Sequence, residues 1–234
     1  MKSGGLSKAI LPVGSPARIV KRFTPMAEIR LAESEEERLA VYRFRYSIYV
    51  EEMGISESSA DHAGKLISDS LDGAAAMILA AWDGDRVIGT TRSNLIRDGG
   101  ISDYLEYYRL LDLAPDALAE SSITTRLMVH PEFRRTTLSA RLACESFRWG
   151  LSQGIRANFI DCDPNNHPYF TALGYKVVLD DFIHPEFGLG FLLRLDLCDL
   201  EHLEKVRSPF RRILSAWLAE REKSPAELIE NCHQ

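Results

Sequence analysis

Little in this chain of 234 residues points to disulfides, metals or membranes. Its four cysteines, Cys144, Cys162, Cys198 and Cys232, are widely and irregularly spaced. That spacing gives neither a disulfide frame nor a zinc site, so reduced and mostly packed thiols are expected. His130, His167 and His184 each precede a proline and, like Cys162, lack the company a metal needs. Structural roles and no metal are expected for them. No run of about 18 apolar residues occurs, and the N-terminus lacks a continuous apolar signal segment. The expectation is a soluble, cytoplasmic protein without a membrane span. Positive charge is also scarce: the formal net charge is -6, which argues against general nucleic-acid binding.

What is present is a large apolar complement, 45% of residues, enough for one substantial core. Residues 1 to 25 are rich in Gly, Ser and Pro and carry Lys2, Lys8, Arg18, Lys21 and Arg22 without an acid. They read as a flexible basic lead-in. The folded domain then runs from 26 to 200, with a C-terminal helical extension from 201 to 234.

The organising stretch is Ser122 to Gly150. A β-branched run alternates Ile123, Thr125, Leu127 and Val129 against Thr124, Arg126 and Met128 and is closed by His130-Pro131, which predicts a strand. Leu138, Leu142, Cys144, Phe147 and Leu151 then recur at three or four, the period of a helix burying one face. Between them stand Arg134, Arg135, Thr136, Thr137 and Ser139, cations and hydroxyls at a helix N-terminus where backbone N–H groups are unpaired. Such a place suits a phosphate. The same residues also read as a Thr136 or Thr137 cap with surface arginines.

Upstream, Glu28 to Ala32 is a predicted strand. Ser34 and Glu37 form a capping box for a helix that Gly54 stops. Residues 55 to 73 are a polar connection with little pattern. Ala74 to Trp82 and Arg86 to Leu95 are strands joined at Asp83-Gly84-Asp85; Ile101 to Leu113 is an aromatic-rich helix or loop, and Pro115 to Glu120 a short turn. Downstream, Asn158 to Cys162 is a buried strand beside the central one. A short helix follows through Leu173, then strands Tyr175 to Leu179 and Leu189 to Leu195. Ser208-Pro209 opens a last amphipathic helix through Arg221, suited to packing on the core or on a second subunit of a homodimer.

Val129, Pro131 and Arg134, and the phrase Asn166-His-Pro-Tyr-Phe-Thr-Ala-Leu-Gly-Tyr175 about 40 residues later, resemble the acyl-donor and C-terminal segments of the GNAT acyltransferase superfamily. Arg43 to Gly54, Asp69-Ser-Leu-Asp72 and Gly89-Thr-Thr-Arg92 resemble its acyl-homoserine-lactone synthase and long-chain N-acyl amino acid synthase branch. The resemblance implies a single α/β domain, a mixed twisted sheet with helices on both faces. It also implies transfer of an acyl group, fatty rather than acetyl, from a carrier-protein or coenzyme A thioester to the amine of a small molecule. No permanently bound cofactor is implied, only the acyl thioester as co-substrate, with acyl carrier protein as a partner that Arg134, Arg135 and Arg141 would meet.

Residue by residue, the branch's functional cluster falls on Arg43 or Arg45, on Asp69 and Asp72, and on Arg92 and Arg126. The donor segment falls on Leu127, Val129, Arg134, Arg135, Thr136, Thr137 and Ser139, where Thr137 and Ser139 replace the superfamily's glycines. Carboxylates at 69 and 72 suit a cationic substrate and the arginines a substrate carboxylate. The same charges also read as loop caps and their ion-pair partners. A base for the ammonium is expected at Glu120 or at a water held by Ser121 and Ser122. Ile123 replaces the synthases' glutamate, and Phe170 the tyrosine acid of many acetyltransferases, with Tyr169 beside it a packing aromatic. Those departures define two competing readings, an acetyl-coenzyme A dependent N-acetyltransferase and a non-catalytic thioester sensor.

Overall fold

The computed structural model describes residues 27–99, 101–184 and 188–222; the expected basic lead-in, the tail opening at Ser224 and Cys232 lie outside the described residues. The strands are β1 (Glu28–Leu31), β2 (Ala60–Asp61), β3 (Leu66–Ile67), β4 (Met77–Asp83), β5 (Arg86–Leu95), β6 (Ser121–Val129), β7 (Ala157–Cys162), β8 (Lys176–His184) and β9 (Gly188–Asp196). The helices are α1 (Glu35–Tyr46), α2 (Ser102–Tyr107), α3 (Pro115–Ala119), α4 (Leu138–Ser152), α5 (His167–Leu173), α6 (Leu200–Lys205) and α7 (Phe210–Glu222). Seven strands form one sheet in the order β1-β4-β5-β6-β7-β9-β8. Every neighbouring pair is antiparallel except β6 with β7.

That parallel pair is short. It registers only Ser121 with Ala157, Ser122 with Asn158 and Ile123 with Phe159, so beyond Ile123 the two central strands diverge. The opening they leave is the feature that positions the site.

Local signals in the sequence account for most of these elements. Ser34 Oγ accepts from the Glu37 N–H while the Glu37 carboxylate accepts from Ser34 N–H, both at 3.2 Å, so α1 starts with two of its orphan donors satisfied. Its end differs from expectation. The helix passes into a π-helical stretch, Ser47–Glu52, before Gly54 at φ +67°. The wider turn brings Tyr49 and Met53 to the sheet opening instead of ending the helix straight.

The patternless connection after it holds the β2–β3 hairpin, whose Ile67 is fully buried in the core beside Val41 and Phe44 of α1. Leu66, Ile67 and Leu71, among the few apolar residues of a polar segment, are too sparse to give a period. At the other end, Ser208 opens α7: its buried hydroxyl donates to the Leu173 carbonyl at 2.6 Å and accepts from Phe210 N–H at 3.1 Å. Phe210 and Leu214 join the core of Phe147 and Leu151, so α7 packs on its own domain. Burial of each such side chain contributes about 1.5–3 kcal/mol.

Candidate active site

Strand β6 carries the site, and its side chains break simple alternation. Thr124 meets Ser93, which in turn meets Ser146 of α4, so Thr124 faces α4. Thr125 accepts from Arg92 Nε at 3.0 Å on the opposite face. Strict period two would send Arg126 back toward α4. Instead the register against β5 steps from Thr90–Met128 to Arg92–Thr125, which leaves one extra residue on β6, and Arg126 takes φ +60°. This bulge holds Thr125 and Arg126 on the same face, and alternation resumes with Leu127 toward α4 and Met128 toward α1. A left-handed arginine inside a strand costs on the order of 1–3 kcal/mol, which the contacts of its side chain offset.

Those contacts form a closed charge cluster. Arg126 reaches Asp69 at 2.7 Å and Glu57 at 3.2 Å and lies 5.1 Å from the Tyr49 ring centroid. Arg92 reaches Asp69 at 2.5 Å and Asp72 at 3.0 Å. Arg45 binds both Asp72 oxygens at 2.8 Å. Asp69 and Asp72 also cap each other's backbone across the turn Ser70–Asp72. Three cations therefore face three carboxylates with almost no solvent, the Arg45 and Arg92 side chains being 0% exposed.

The ionisation of the cluster follows from this pairing. Burial alone would raise the Asp69 carboxyl, but Arg92 and Arg126 hold it well below the usual carboxylate range. Burial likewise opposes the charge on Arg126, yet Tyr49, Glu57 and Asp69 hold its pKa well above the ordinary value. Arg45, the most deeply placed, is lowered by burial despite Asp72.

Beside the cluster opens a cavity of about 700 Å³. Its wall includes Arg126 and Tyr49 at the cluster, Thr124 and Asn158 in the opening between β6 and β7, and Phe147, Leu195 and Phe210 on the α4 side. The cavity thus passes through the sheet. Midway stands a polar chain: Tyr175 donates to Asn158 at 2.7 Å, and Asn158 donates to Ser122 and Thr124 at 2.9 Å. Asp161, on β7, lines the same wall and accepts from Tyr108 at 2.7 Å.

The expected residues distribute unevenly over this geometry. Arg126, Ser122 and Leu127 line the cavity. Asp69, Asp72, Arg92 and Arg45 stand behind Arg126 and bind one another. Of the pair Arg43 or Arg45, the cluster takes Arg45, while Arg43 is exposed on α1. Glu120, expected as a base, lies outside the cavity wall, its carboxylate 3.8 Å from Arg156.

The donor-segment residues Val129, Arg134, Arg135, Thr136, Thr137 and Ser139 also lie outside the cavity wall, around the start of α4. Arg134 is held by the Glu52 carboxylate at 2.5 Å and by the Val129 carbonyl at 2.9 Å, and Arg141 donates to the Ala27 carbonyl at 2.7 Å. Two of the three cations expected to meet an acidic carrier are therefore engaged internally, and Arg135 stays exposed. Between the two capping options, the hydroxyl of Thr136 accepts from Leu138 N–H at 3.2 Å, whereas Thr137 makes no side-chain cap.

Phe170 lines the cavity and offers no proton. Tyr169 packs edge-on against Phe170 with ring centroids 5.2 Å apart, and burial pushes its hydroxyl up to about 12. Cys162 lines the cavity too, its thiol likewise pushed up to about 12 by burial and by Asp161 and Asp163; it stays protonated and is a poor nucleophile. Sequence reasoning missed Glu57, Asn158, Tyr175 and Asp161. For Glu57 there was no signal, since it sits in a polar segment. Asn158, a polar residue in a buried strand, did carry one.

The mixed seven-stranded sheet that parts between β6 and β7 is a GNAT-type fold. Residues 40–196 match the family described as N-acyl amino acid synthase FeeM; the chain belongs to that family and is an N-acyltransferase. Among solved structures, FeeM itself, an N-acyl amino acid synthase from uncultured soil microbes, is 14% identical with a TM-score of 0.57 over 81% of this chain and 99% of that one. The CoA-dependent acyl-homoserine lactone synthase BjaI, solved with SAM and isopentyl-CoA, is 21% identical with a TM-score of 0.60 over 79% and 90%. The CoA-dependent synthase MesI is 22% identical with a TM-score of 0.59 over 80% and 95%. No curated protein matches at the sequence level. Among the described residues, no helix is long and apolar enough to cross a membrane.

Proposed function

We propose that the enzyme moves a fatty acyl group from a carrier-protein or coenzyme A thioester to the amine of a small acceptor that carries a carboxylate, such as an amino acid. The observation that carries this reading is the continuity of the cavity, from Arg126 through the β6–β7 opening to the apolar ring of Phe147. Arg126 lines the cavity as a permanently charged guanidinium; its Nη1 and Nη2 already donate to Glu57 and Asp69, and the N–H groups this pairing leaves suit an acceptor carboxylate. The apolar interior suits an acyl chain, and the unpaired edge of β6 beyond Ile123 suits the thioester carbonyl. Thr137 and Ser139, in place of glycines, favour a carrier arm with one phosphate over a pyrophosphate that needs close backbone approach.

The chemistry is direct aminolysis. The acceptor ammonium gives up a proton, its nitrogen bonds to the carbonyl carbon, and the tetrahedral intermediate expels the thiolate, which takes a proton. Asp161 is our candidate for the base: its carboxylate lines the cavity, held by Tyr108, and the proton it accepts is then available to the thiolate. Direct attack needs no acyl-enzyme, and burial disfavours the Cys162 thiolate that one would require.

The reading is tested by thiol release from acyl carrier protein and coenzyme A thioesters, acetyl to palmitoyl, with pooled amino acids, products read by mass spectrometry. Long-chain N-acyl amino acids are the expected products. Turnover confined to acetyl-coenzyme A would replace this reading with that of an ordinary N-acetyltransferase.

A further inference from the structure

The apolar end of the cavity is closed by an element outside the family-matching segment, which stops at residue 196. Phe210, the first residue of α7, stacks on Phe147 of α4 with ring centroids 4.5 Å apart and planes 5° from parallel. Both rings line the cavity and both are buried, at 1% and 4% exposure. Stacked at that distance, two rings leave no gap through which a methylene chain can pass. Neither ring is free to swing. Phe210 is tied to the end of α5 through the Ser208 hydroxyl, and Leu214, fully buried, joins the same core one turn on.

Gly150, one turn after Phe147, borders the same end of the cavity beside Leu197. A Cβ at Gly150 would stand 2.9 Å from Leu197 Cδ2, so even a methyl group there forces Leu197 to move. The walls near the ring pair are therefore filled to contact.

We propose that Phe210, seated on Phe147, is the stop that fixes the longest acyl chain the enzyme accepts, and that α7 is the element through which this chain sets its length preference. The inference rests on the acyl-transfer reading above and assigns a residue to it that lies beyond the family-matching segment.

The test is a competition among thioesters of graded length, acetyl to stearoyl, on one carrier. The full-length enzyme and the variants Phe210→Leu, Phe210→Ala, Phe147→Leu and Gly150→Ala are compared, with folding checked by thermal melts. The expected result is that Phe210→Leu and Phe147→Leu accept longer chains, with kcat/KM for the first chain past the wild-type limit rising about 10-fold or more. Gly150→Ala, which narrows the same end, shifts preference to shorter chains. If Phe210→Ala does not fold, the two Leu variants and Gly150→Ala decide. Folded, active variants that keep the wild-type length profile would overturn the inference while leaving acyl transfer intact. A wild-type enzyme that moves no chain longer than acetyl would instead overturn the acyl-transfer reading, and the inference with it.

Discussion

The two faces of β6 make opposite use of polar groups. On the α1 face Arg45, Arg92 and Arg126 and the carboxylates of Glu57, Asp69 and Asp72 neutralise one another at contact distance. On the α4 face, hydroxyls and one amide form a neutral chain inside a largely apolar cavity. Buried charge is tolerated only when paired, so the first face must be rigid and occupied. A cavity that takes up a neutral chain needs only groups that satisfy one another when it is empty. Of the cluster's six charged groups Arg126 alone also lines the cavity, and the bulge is what keeps it on the α1 face.

The largest effect is expected at Asp72. Asp72→Ala leaves Arg45 buried without its carboxylate and Arg92 with Asp69 alone, and a stability loss of about 3–5 kcal/mol is expected by denaturant unfolding. A loss under about 1 kcal/mol, the value of a surface pair, would mean the cluster is wet. Asp161→Asn tests the other side. Turnover at neutral pH should fall by about 10²–10⁴-fold and recover in part as rising pH supplies the free amine; a loss that is flat with pH would assign Asp161 a packing role instead.

Arg126→Lys keeps the charge but loses the fork. The acceptor kcat/KM should drop by about 10- to 100-fold with the donor KM little changed. An equal effect on both substrates would show that the residue shapes the whole cavity.

The smallest effect concerns acid. Asp69 has its folded pKa depressed, so its contribution is fully present above the unfolded carboxylate pKa of about 4 and is lost as pH falls toward the folded value. Melting curves of wild type and Asp69→Asn should therefore differ at neutral pH and converge in strong acid. A constant gap would mean the carboxylate's charge is not what stabilises.

How much of this was legible in the sequence depended on whether a local rule governed it. The capping box at Ser34, the hairpin at Gly84, the central strand and helix and the opening of α7 all rest on short-range chemistry, and each lies where that chemistry puts it. Arg126 illustrates the limit. Alternation was read straight through it, and only the pairing with β5 reveals the extra residue that turns its side chain over. Glu57 and Ile67 come from a segment with little period, and each is fixed by distant residues, Glu57 by Arg126 and Ile67 by the core around Val41 and Phe44. Glu120 was read as a candidate base, and the step from α3 into β6 directs its carboxylate toward Arg156.

The central claim is that donor chain and acceptor meet through the sheet, with the acceptor at Arg126 and the chain among α4, β9 and α7. A crystal structure with a long-chain N-acyl amino acid tests it most directly. The product carboxylate is expected on Arg126, with the chain passing Asn158 to end against Phe147 and Phe210. A chain lying elsewhere on the surface, with the β6–β7 opening empty, would contradict it.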